Sequence, residues 1–438
     1  MKSLKGGIAA LTLLASAIAG QAQAAEQFVP VSIYRTGPYA AGGVGIYGAY
    51  ADYLEMLNQR DGGINGVKLS YQECETAYQA DRMIECYERQ KGMGSTGAAA
   101  FTPSGTGGVY ALIDRMTADK IPSVTVGYGR TDSSDGRVFP YIFPAIANYW
   151  SENTATIRWI ADQEGGFEAL KGKKIANVVM DFAAGRETEP VLAEQASKYG
   201  FEVTTFPIAP PGLDQRAVWL QVRQARPDWV LFRGWGSATA AGLKEAQRAG
   251  IPREKIIGWW WSGSEEDVVP AGDAAKGFIT ASFHTVGGDY PVFKDIREQV
   301  YAKGKGHVSE ERIGTAYFVR GILHAVVVTE GIRTAMGKFG NRPLTGEEVR
   351  WGLEHLTLTN DRLRELGVEG LMAELSITCE DHEGGGRTIM QQWDGTKWST
   401  ISDWIEPDSE IVRPMIEKSA AAYAAEKRIT PRDCSAEN

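Results

Sequence analysis

Short apolar runs alternate with amphipathic stretches along the first third of the chain. The apolar runs cover 28–34, 67–73, 97–101 and 121–126, and the helix-like stretches between them cover 44–59, 80–91 and 107–119. Apolar runs of this length that are separated by segments of helical period indicate βαβ units. The order therefore predicts a parallel sheet with helices packed on it.

A second set of the same kind follows. It has strand-like runs at 174–181, 201–206, 229–233 and 255–260, and helix-like stretches at 151–163, 187–199, 215–225 and 240–250. The chain of 438 residues thus contains two α/β halves, in agreement with its length.

Long helices and then short strands are predicted in the last third. One helix is expected over 309–336, and another follows Thr345, which with Glu348 has the form of a capping box. The C-terminal part returns to β structure at 387–392 and 397–401, around a hairpin-like Asp394-Gly395 turn.

The N-terminus has the pattern of a secretory signal peptide. Lys2 and Lys5 precede an apolar run at 8–19, and small residues follow in Ala22-Gln23-Ala24. The run is shorter than the roughly 20 residues needed to span a bilayer. We therefore expect residues 1–24 to be a signal peptide and the mature protein to be soluble and periplasmic.

Charge and cysteine content narrow the possible partners. A formal net charge of −9, with basic residues scattered among acids, speaks against nucleic acid and anionic membranes. Four cysteines in an exported chain predict two disulfides, for which three pairings are possible. A local bridge between Cys74 and Cys86 would leave Cys379 and Cys434 as the second pair. The five histidines are dispersed, so no metal or cofactor is predicted.

Two short motifs match the residue patterns of nucleotide-binding or catalytic sites, but structural roles are the favoured interpretation for both. The stretch 43–48 matches the dinucleotide fingerprint, but the preceding strand ends near Tyr34, too early for the tight turn around a pyrophosphate. Glycines that ease helix packing are the favoured interpretation. Asp381-His382-Glu383 is followed directly by three glycines, which favours a polar turn over a catalytic group. The sequence therefore does not indicate an enzyme.

Several loops are predicted to line a ligand crevice. Thr102 to Gly107 follows an apolar run and enters a helix, whose N-terminus suits a carboxylate or another polar ligand group. The alternative is that Ser104 or Thr106 only caps this helix. Loops at the carboxyl ends of parallel strands line the crevice of α/β proteins. The other loops in such positions are 127–129, 183–185, 234–236 and 259–261.

Glycine-containing turns give the chain its resemblance to a known family. They are Thr36-Gly37-Pro38, Gly62-Gly63-Ile64-Asn65-Gly66, Ala249-Gly250-Ile251 and Gly384-Gly385-Gly386. In their order and spacing the chain resembles the type I periplasmic binding proteins of ABC importers, in the branched-chain amino acid group. The resemblance covers essentially the whole chain after the signal peptide.

The resemblance implies an α/β fold of two Rossmann-like lobes, each with a parallel sheet, joined by three hinge crossings. The crossings are expected near 143–147, 280–284 and 377–381. Lobe one would contain 26–145 and 283–378, and lobe two 146–282 and 379–438. The resemblance also implies a non-catalytic, monomeric protein that closes on a small molecule and presents it to an ABC permease.

Ligand contacts are also implied by the resemblance. Lobe one would contribute Gly42, Ser104, Gly127 and Gly129, and lobe two Ala184, Trp235 and Trp260. Amino-acid-binding members of the family usually have an acid after the glycine of the strand that here ends at Gly258, where this chain has tryptophans. Glu265, Glu266 and Asp267 could supply a shifted acid.

Two ligand classes and two other functions stay open at this point. Trp235 and Trp260 favour a small, partly apolar or aromatic molecule with one polar end, and a branched-chain amino acid is the alternative. The other functions are an exported hydrolase or nucleotide-dependent enzyme, and a soluble sensor for a signalling receptor.

Overall fold

A computed structural model describes residues 26–436, so the predicted signal peptide lies outside the described residues. The strands are β1 (Gln27–Phe28), β2 (Val31–Ile33), β3 (Leu69–Ser70), β4 (Glu73–Glu75), β5 (Ser123–Val126), β6 (Ile142–Ala145), β7 (Lys174–Met180), β8 (Glu202–Ile208), β9 (Trp229–Arg233), β10 (Ile256–Gly258), β11 (Ile279–Ser282), β12 (Thr357–Leu358), β13 (Leu375–Ser376), β14 (Ile389–Trp393) and β15 (Trp398–Thr400). The helices are α1 (Ala40–Arg60), α2 (Ala80–Gln90), α3 (Thr106–Asp119), α4 (Tyr149–Glu164), α5 (Ala183–Arg186), α6 (Glu189–Tyr199), α7 (Arg216–Ala225), α8 (Ser237–Arg248), α9 (Glu265–Val268), α10 (Pro291–Gln299), α11 (Ala316–Phe339), α12 (Gly346–Glu354), α13 (Asn360–Glu365) and α14 (Ser409–Lys427). Across 26–436, these helices include none that is both long and apolar enough to cross a bilayer.

One lobe, called lobe two, is built on a sheet of seven strands in the order β15-β14-β11-β10-β9-β7-β8. Its five central and edge strands from β7 to β11 are parallel, whereas β14 and β15 are antiparallel to their neighbours. Successive residues of β9 face opposite sides. Val230 packs in the core that includes α7 and α8, and Leu231 in the core that includes α4 and α6. Helices therefore cover both faces of the sheet.

Lobe one contains β1 to β6 with α1 to α3 and α10 to α13. Its strands pair in parallel as β1 with β3, β2 with β4, and β5 with β6. The long helix α11 is buried from Ala316 to Ile332 and packs on α1 and α12. Because α11 is buried on all sides over this stretch, it forms the centre of the lobe.

The chain crosses between the lobes at three places, and two of these crossings lie side by side. The backbone N–H of Ile146 donates to the carbonyl of Glu383 at 2.9 Å, and the N–H of Gly386 donates to the carbonyl of Ile146 at 2.9 Å. The buried Glu383 carboxylate accepts the N–H of Asn148 at 2.7 Å and the hydroxyl of Ser151 at 2.9 Å. Burial raises the pKa of Glu383 above the usual glutamate value.

His382 is also buried at this crossing. Its ring stacks on Phe143, with ring centres 3.8 Å apart, and its Nε2 lies 3.1 Å from Oε1 of Glu354. The polar residues 381–383 are therefore not a solvated turn. They hold the first and third crossings together.

Both expected disulfides are present. Cys74 pairs with Cys86, with Cα atoms 5.8 Å apart, and Cys379 pairs with Cys434, with Cα atoms 5.7 Å apart. The capping box of Thr345 and Glu348 is also confirmed at the start of α12.

Three elements differ from the prediction. The run at 97–101 forms only a single bridge, from Phe101 to Ser123, because Gly97 has a φ of +81° and the short alanines after it build no ladder. Helix α11 begins at Ala316 rather than at 309, after Gly314 with a φ of +92°. Helix α14 was not predicted, since it carries Pro414 and its buried residues are sparse.

Helix α14 contacts both lobes. The Ser419 hydroxyl donates to Oδ2 of Asp132 at 2.7 Å and the Tyr423 hydroxyl to Oδ1 of Asp114 at 3.1 Å, both in lobe one. Asp408, directly before the helix, accepts the hydroxyl of Tyr199 of lobe two at 2.6 Å. The C-terminal segment therefore lies across the junction of the lobes.

Candidate ligand-binding site

A narrow cavity lies between the lobes, and in this closed conformation it leaves about 20 Å³ for the centre of a water-sized sphere. Its walls come from segments that follow β2, β4 and β5 in lobe one and β7, β9 and β10 in lobe two. The carboxyl ends of parallel strands from both lobes thus meet at the cavity, which is where α/β sheets bind ligands.

The lining is dominated by aromatic side chains. It consists of Tyr34, Ile46, Tyr47, Tyr78, Ser104, Gly105, Thr106, Tyr128, Tyr149, Phe182, Ala184, Trp235, Trp259 and Trp261. Such side chains offer large apolar surfaces together with a few polar tips. The arrangement suits the burial of a small, partly apolar molecule.

Three of the seven residues predicted to contact a ligand lie in this lining: Ser104, Ala184 and Trp235. Ser104 lies two residues before the start of the helix α3, and its hydroxyl already lies 3.1 Å from Oγ of Ser32 and 2.9 Å from Oγ1 of Thr76. Its side chain is therefore held in place by lobe one.

The other four predicted residues lie behind the lining. Gly42 packs against the ring of Tyr317, where an added Cβ would be 3.2 Å from Cζ. Gly127 has a φ of +75° and lies so close to Phe283 that a Cβ would be 2.4 Å from its ring. Gly129 lies near Thr125, with a φ of +131°.

Trp260 points away from the cavity, whereas its neighbours Trp259 and Trp261 line it. The Trp260 ring packs edge-on against Phe283 at 5.2 Å, and its carbonyl accepts a hydrogen bond from Nη2 of Arg320 at 2.6 Å. Trp259 is fixed by its indole N–H, which donates to the carbonyl of Gly234 at 2.6 Å.

Tyrosines supply most of the polar atoms of the lining. The Tyr47 and Tyr128 hydroxyls lie 3.1 Å apart, and Tyr128 donates to the carbonyl of Pro103 at 2.7 Å. Within 26–436, the hydroxyls of Tyr34 and Tyr78 have no hydrogen-bond partner. Burial raises the pKa of all four hydroxyls above the usual tyrosine value, so they remain protonated donors.

Two of these tyrosines lie in sequence positions that predict a place at the cavity. Tyr34 follows β2, and Tyr128 lies between the two glycines of the predicted loop 127–129. An aromatic residue just after the end of a parallel strand is placed at the crevice by the same topology as the loops themselves.

Acidic residues of α9 contact lobe one instead of lining the cavity. Asp267 accepts the hydroxyl of Tyr317 at 2.7 Å and the N–H of Gly236 at 3.2 Å. Glu266 pairs with Arg312 at 2.8 Å, and Glu265 accepts the N–H of Ala316 at 2.9 Å. Burial raises the pKa of both Glu265 and Asp267 to about 7.

The tryptophan at the cavity rim joins the same contacts. Trp235 of lobe two donates its indole N–H to the Tyr317 hydroxyl at 3.1 Å. Its ring stacks on Tyr39 of lobe one, with centres 4.1 Å apart and planes within 5°. On the opposite side of the cavity, Glu187 of lobe two accepts the N–H of Thr131 of lobe one at 3.1 Å and the hydroxyl of Tyr110. The lobes therefore touch on both sides, and the conformation is closed.

The glycines at 43–48 are packing positions of α1. A Cβ on Gly43 would lie 2.0 Å from the carbonyl oxygen of Tyr34, and one on Gly48 would lie 2.3 Å from Cγ1 of Val308. The stretch is helical and forms no turn after a strand. Among the residues that the structure describes, no cluster of three potential metal ligands occurs.

Comparisons with known proteins agree with this architecture. The family model of the periplasmic binding proteins matches residues 26–397. A crystal structure of an ABC transporter permease from the Pseudomonas fluorescens group is 48% identical, covers 93% of this chain and 99% of its own, and has a TM-score of 0.88. No curated protein matches the chain.

Two more distant structures share the fold. A branched-chain amino acid ABC transporter protein from Thermus thermophilus with bound valine is 22% identical, with a TM-score of 0.74 and coverage of 89% of this chain and 99% of its own. A solute-binding protein from R. palustris in complex with benzoate is 17% identical, with a TM-score of 0.65 and coverage of 87% and 97%.

Proposed function

Because the chain belongs to the periplasmic binding protein family, we propose that it captures one small solute between its lobes and delivers it to an ABC transporter in the membrane. The family agrees with the resemblance found in the sequence. The observation that carries the proposal is the enclosed aromatic cavity at the carboxyl ends of strands from both lobes. Binding there buries the ligand, and the interlobe contacts would form as the lobes close around it.

The proposed location is the periplasm, and the proposed partner is a membrane permease. The signal-peptide pattern at residues 1–24 supports export, and the related structure from the Pseudomonas fluorescens group belongs to an ABC transporter. A free, monomeric protein in its closed conformation would bind such a permease and present its bound solute to it.

The proposed lobe boundaries follow the three crossings. Lobe one would contain 26–145 and 283–378, and lobe two 146–282 and 379–438. The contacts between Ile146 and Glu383 support two of the junctions. In this division α14 belongs to lobe two and reaches over to lobe one.

The proposed ligand is small and partly apolar or aromatic. Ser104, Ala184 and Trp235 would touch it directly, and Gly42, Gly127, Gly129 and Trp260 would shape the cavity from behind. A branched-chain amino acid is less suited, because an ammonium group needs an acidic partner and Glu265 to Asp267 face lobe one instead. Structures of this fold with bound valine and with bound benzoate show that both kinds of ligand occur among its relatives.

A screen of solutes tests the proposal. The protein is unfolded and refolded to remove carried-over ligand, and its unfolding midpoint is measured with amino acids, aromatic acids, amides and alcohols. A ligand at about 100 times its Kd should add roughly 2.7 kcal/mol to the free energy of unfolding. Solution scattering should then show a compact form with the same solute, and cells lacking the gene should lose its uptake. A scattering profile that no stabilising solute changes would contradict the proposal.

A further inference from the structure

Within 26–436, the lining of the cavity contains no side chain that carries a charge at neutral pH. None of the fourteen residues that form it within 26–436 is Asp, Glu, Lys, Arg or His. A charged group that enters such a site loses its hydration, and only a counter-charge or several hydrogen bonds can compensate for that loss. The composition of the cavity therefore works against a cation, and an anion would have to be held by hydrogen bonds alone.

We infer that the ligand of this cavity is an uncharged molecule with a hydrogen-bond acceptor, to which the hydroxyls of Tyr34 and Tyr78 donate. The inference rests on the proposed function and deepens it by naming the class of solute. It excludes free amino acids, carboxylates and ammonium compounds as the preferred ligands.

Tyr34 and Tyr78 are the donors without partners at this site. Their rings pack against each other with centres 5.1 Å apart, and both contact Trp235. The other lining hydroxyls are engaged, since Tyr47 pairs with Tyr128 and Tyr149 lies 3.3 Å from Oγ1 of Thr106. Polar groups in an apolar site normally have partners, so two free donors side by side indicate an acceptor that arrives with the ligand.

The indole of Trp261 adds a third donor. Its Nε1 is buried and interacts with the Tyr149 hydroxyl, but in the described part of the chain it has no hydrogen bond of normal geometry. An indole N–H can only donate, so it too calls for an acceptor and not for an ammonium group.

The backbone around Tyr78 is strained. Ala77 and Tyr78 have φ values of +48° and +59°, a conformation that residues with a Cβ seldom adopt and here occurs twice in succession. The side chain of Glu75 accepts the N–H of Ala77 at 2.8 Å, and the disulfide from Cys74 to Cys86 brackets the loop. Strain that is held in place in this way is typical of residues positioned for function.

Charges behind the lining do not favour either sign of ligand. The guanidinium of Arg320 lies 4.9 Å from the ring centre of Trp261, so its charge would repel a cation in the cavity. Asp267 is linked through the Tyr317 hydroxyl to the indole of Trp235, so a negative charge faces an acid there.

A carboxylate at the start of α3 is the strongest rival. Gly105 and Thr106 line the cavity, and Gly105 provides no capping side chain. The end of a helix carries the equivalent of about half an elementary charge, which does not balance a full carboxylate charge in an apolar cavity. The same N–H groups bind a carbonyl or hydroxyl oxygen without that cost.

The test compares compounds of matched shape and different charge on the refolded full-length mature protein. One set is tert-butanol, pivalate and tetramethylammonium, and the other is benzyl alcohol, benzoate and benzylammonium. Titration calorimetry gives the Kd of each at pH 7. We expect the alcohol of at least one set to bind roughly 10-fold tighter, or more, than its charged partners. Equal or tighter binding by a charged member, or binding by neither alcohol, would overturn the inference.

Two variants test the assigned donors. We expect Tyr34→Phe and Tyr78→Phe each to weaken binding of the tighter alcohol by roughly 2- to 10-fold, the range for a single hydrogen bond. Tyr141→Phe is the matched control, because Tyr141 precedes β6 and lies at the opposite end of its sheet. Wild-type affinity in both Tyr34→Phe and Tyr78→Phe would overturn the assignment.

The outcome also separates this inference from the proposed function. A charged compound that binds and makes the scattering profile compact would overturn the inference and leave the proposed function standing. If none of the six compounds and no solute of the wider screen produces compaction, the proposed function itself fails.

Discussion

Substitution of Asp267 by Ala should open the lobes. In the closed form the Tyr317 hydroxyl is fully buried and donates to Asp267 at 2.7 Å. The alanine variant leaves this hydroxyl without an acceptor, which costs about 1–3 kcal/mol. Asp267 lies on α9 of lobe two and Tyr317 on α11 of lobe one, so the cost falls on the closed form and not on the separated lobes.

Hydrogen exchange at Ala316 measures this opening without any ligand. Its amide donates to Glu265 across the lobe interface at 2.9 Å and is not touched by the substitution. Since each 1.4 kcal/mol corresponds to a factor of ten, we expect exchange at Ala316 to be roughly 5- to 150-fold faster in Asp267→Ala. Asp267→Asn keeps an acceptor oxygen for Tyr317 and should restore much of the protection.

An internal reference distinguishes lobe opening from general destabilisation. The amide of Val178 lies in the seven-stranded sheet, where β7 pairs with β8 and β9. Its exchange should stay at the wild-type rate in both variants. Unchanged exchange at Ala316 in a folded Asp267→Ala protein would refute the view that these acids hold the lobes together.

Three further outcomes are expected from the same structure. The pKa of Glu265 and Asp267 is raised from the usual 4.5 and 3.8 to about 7, so their contribution to stability should be complete below about pH 4 and lost as the pH rises through 7. The free energy of unfolding, measured by chemical denaturation, should therefore depend less on pH in the double variant Glu265→Gln/Asp267→Asn than in the wild type. An equal slope in the two proteins would contradict this. Replacing Cys379 and Cys434 by Ala opens a link over 55 residues and should lower the free energy of unfolding by roughly 2–4 kcal/mol, measured by urea denaturation. Glu152→Ala leaves the buried Arg233 without its partner at 2.9 Å and should cost about 3–5 kcal/mol by the same assay, whereas a loss below 1 kcal/mol would show that water reaches this site.

The order of strands and helices could be predicted because it depends on local periodicity. The strand at 229–233 has the same bounds in the sequence analysis and in the structure, since its apolar residues serve both faces of a covered parallel sheet. Helix α14 could not be predicted in the same way. Its buried side rests on residues of both lobes, and that packing is not visible in a local window.

The loops of the site were predictable, but the direction of individual side chains was not. The resemblance to the family implied Trp260 as a ligand contact, yet the strand ends at Gly258 and the chain enters a 3₁₀ turn over Trp260–Ser262. Through that turn Trp259 and Trp261 face the cavity, whereas Trp260 packs against Phe283. Topology determines which loops meet, whereas the turn geometry determines which side chains face the ligand.

The interlobe contacts of the acidic residues after β10 could not be predicted from the sequence either. Glu265 to Asp267 are near the cavity in sequence, which made them candidates to bind an ammonium group. Their partners Arg312, Ala316 and Tyr317 lie in the other lobe and about 50 positions away. Only the closed arrangement of the lobes brings these groups together.

A crystal structure of the protein with the tightest-binding compound of the matched sets is the most direct test of ligand capture between the lobes. The account expects density for one molecule in the cavity between Trp235, Trp261 and the Tyr34 and Tyr78 hydroxyls, with its acceptor oxygen within hydrogen-bond distance of at least one of these donors. Density only in the outer groove near Leu213 and Arg248, with the aromatic cavity empty, would contradict it.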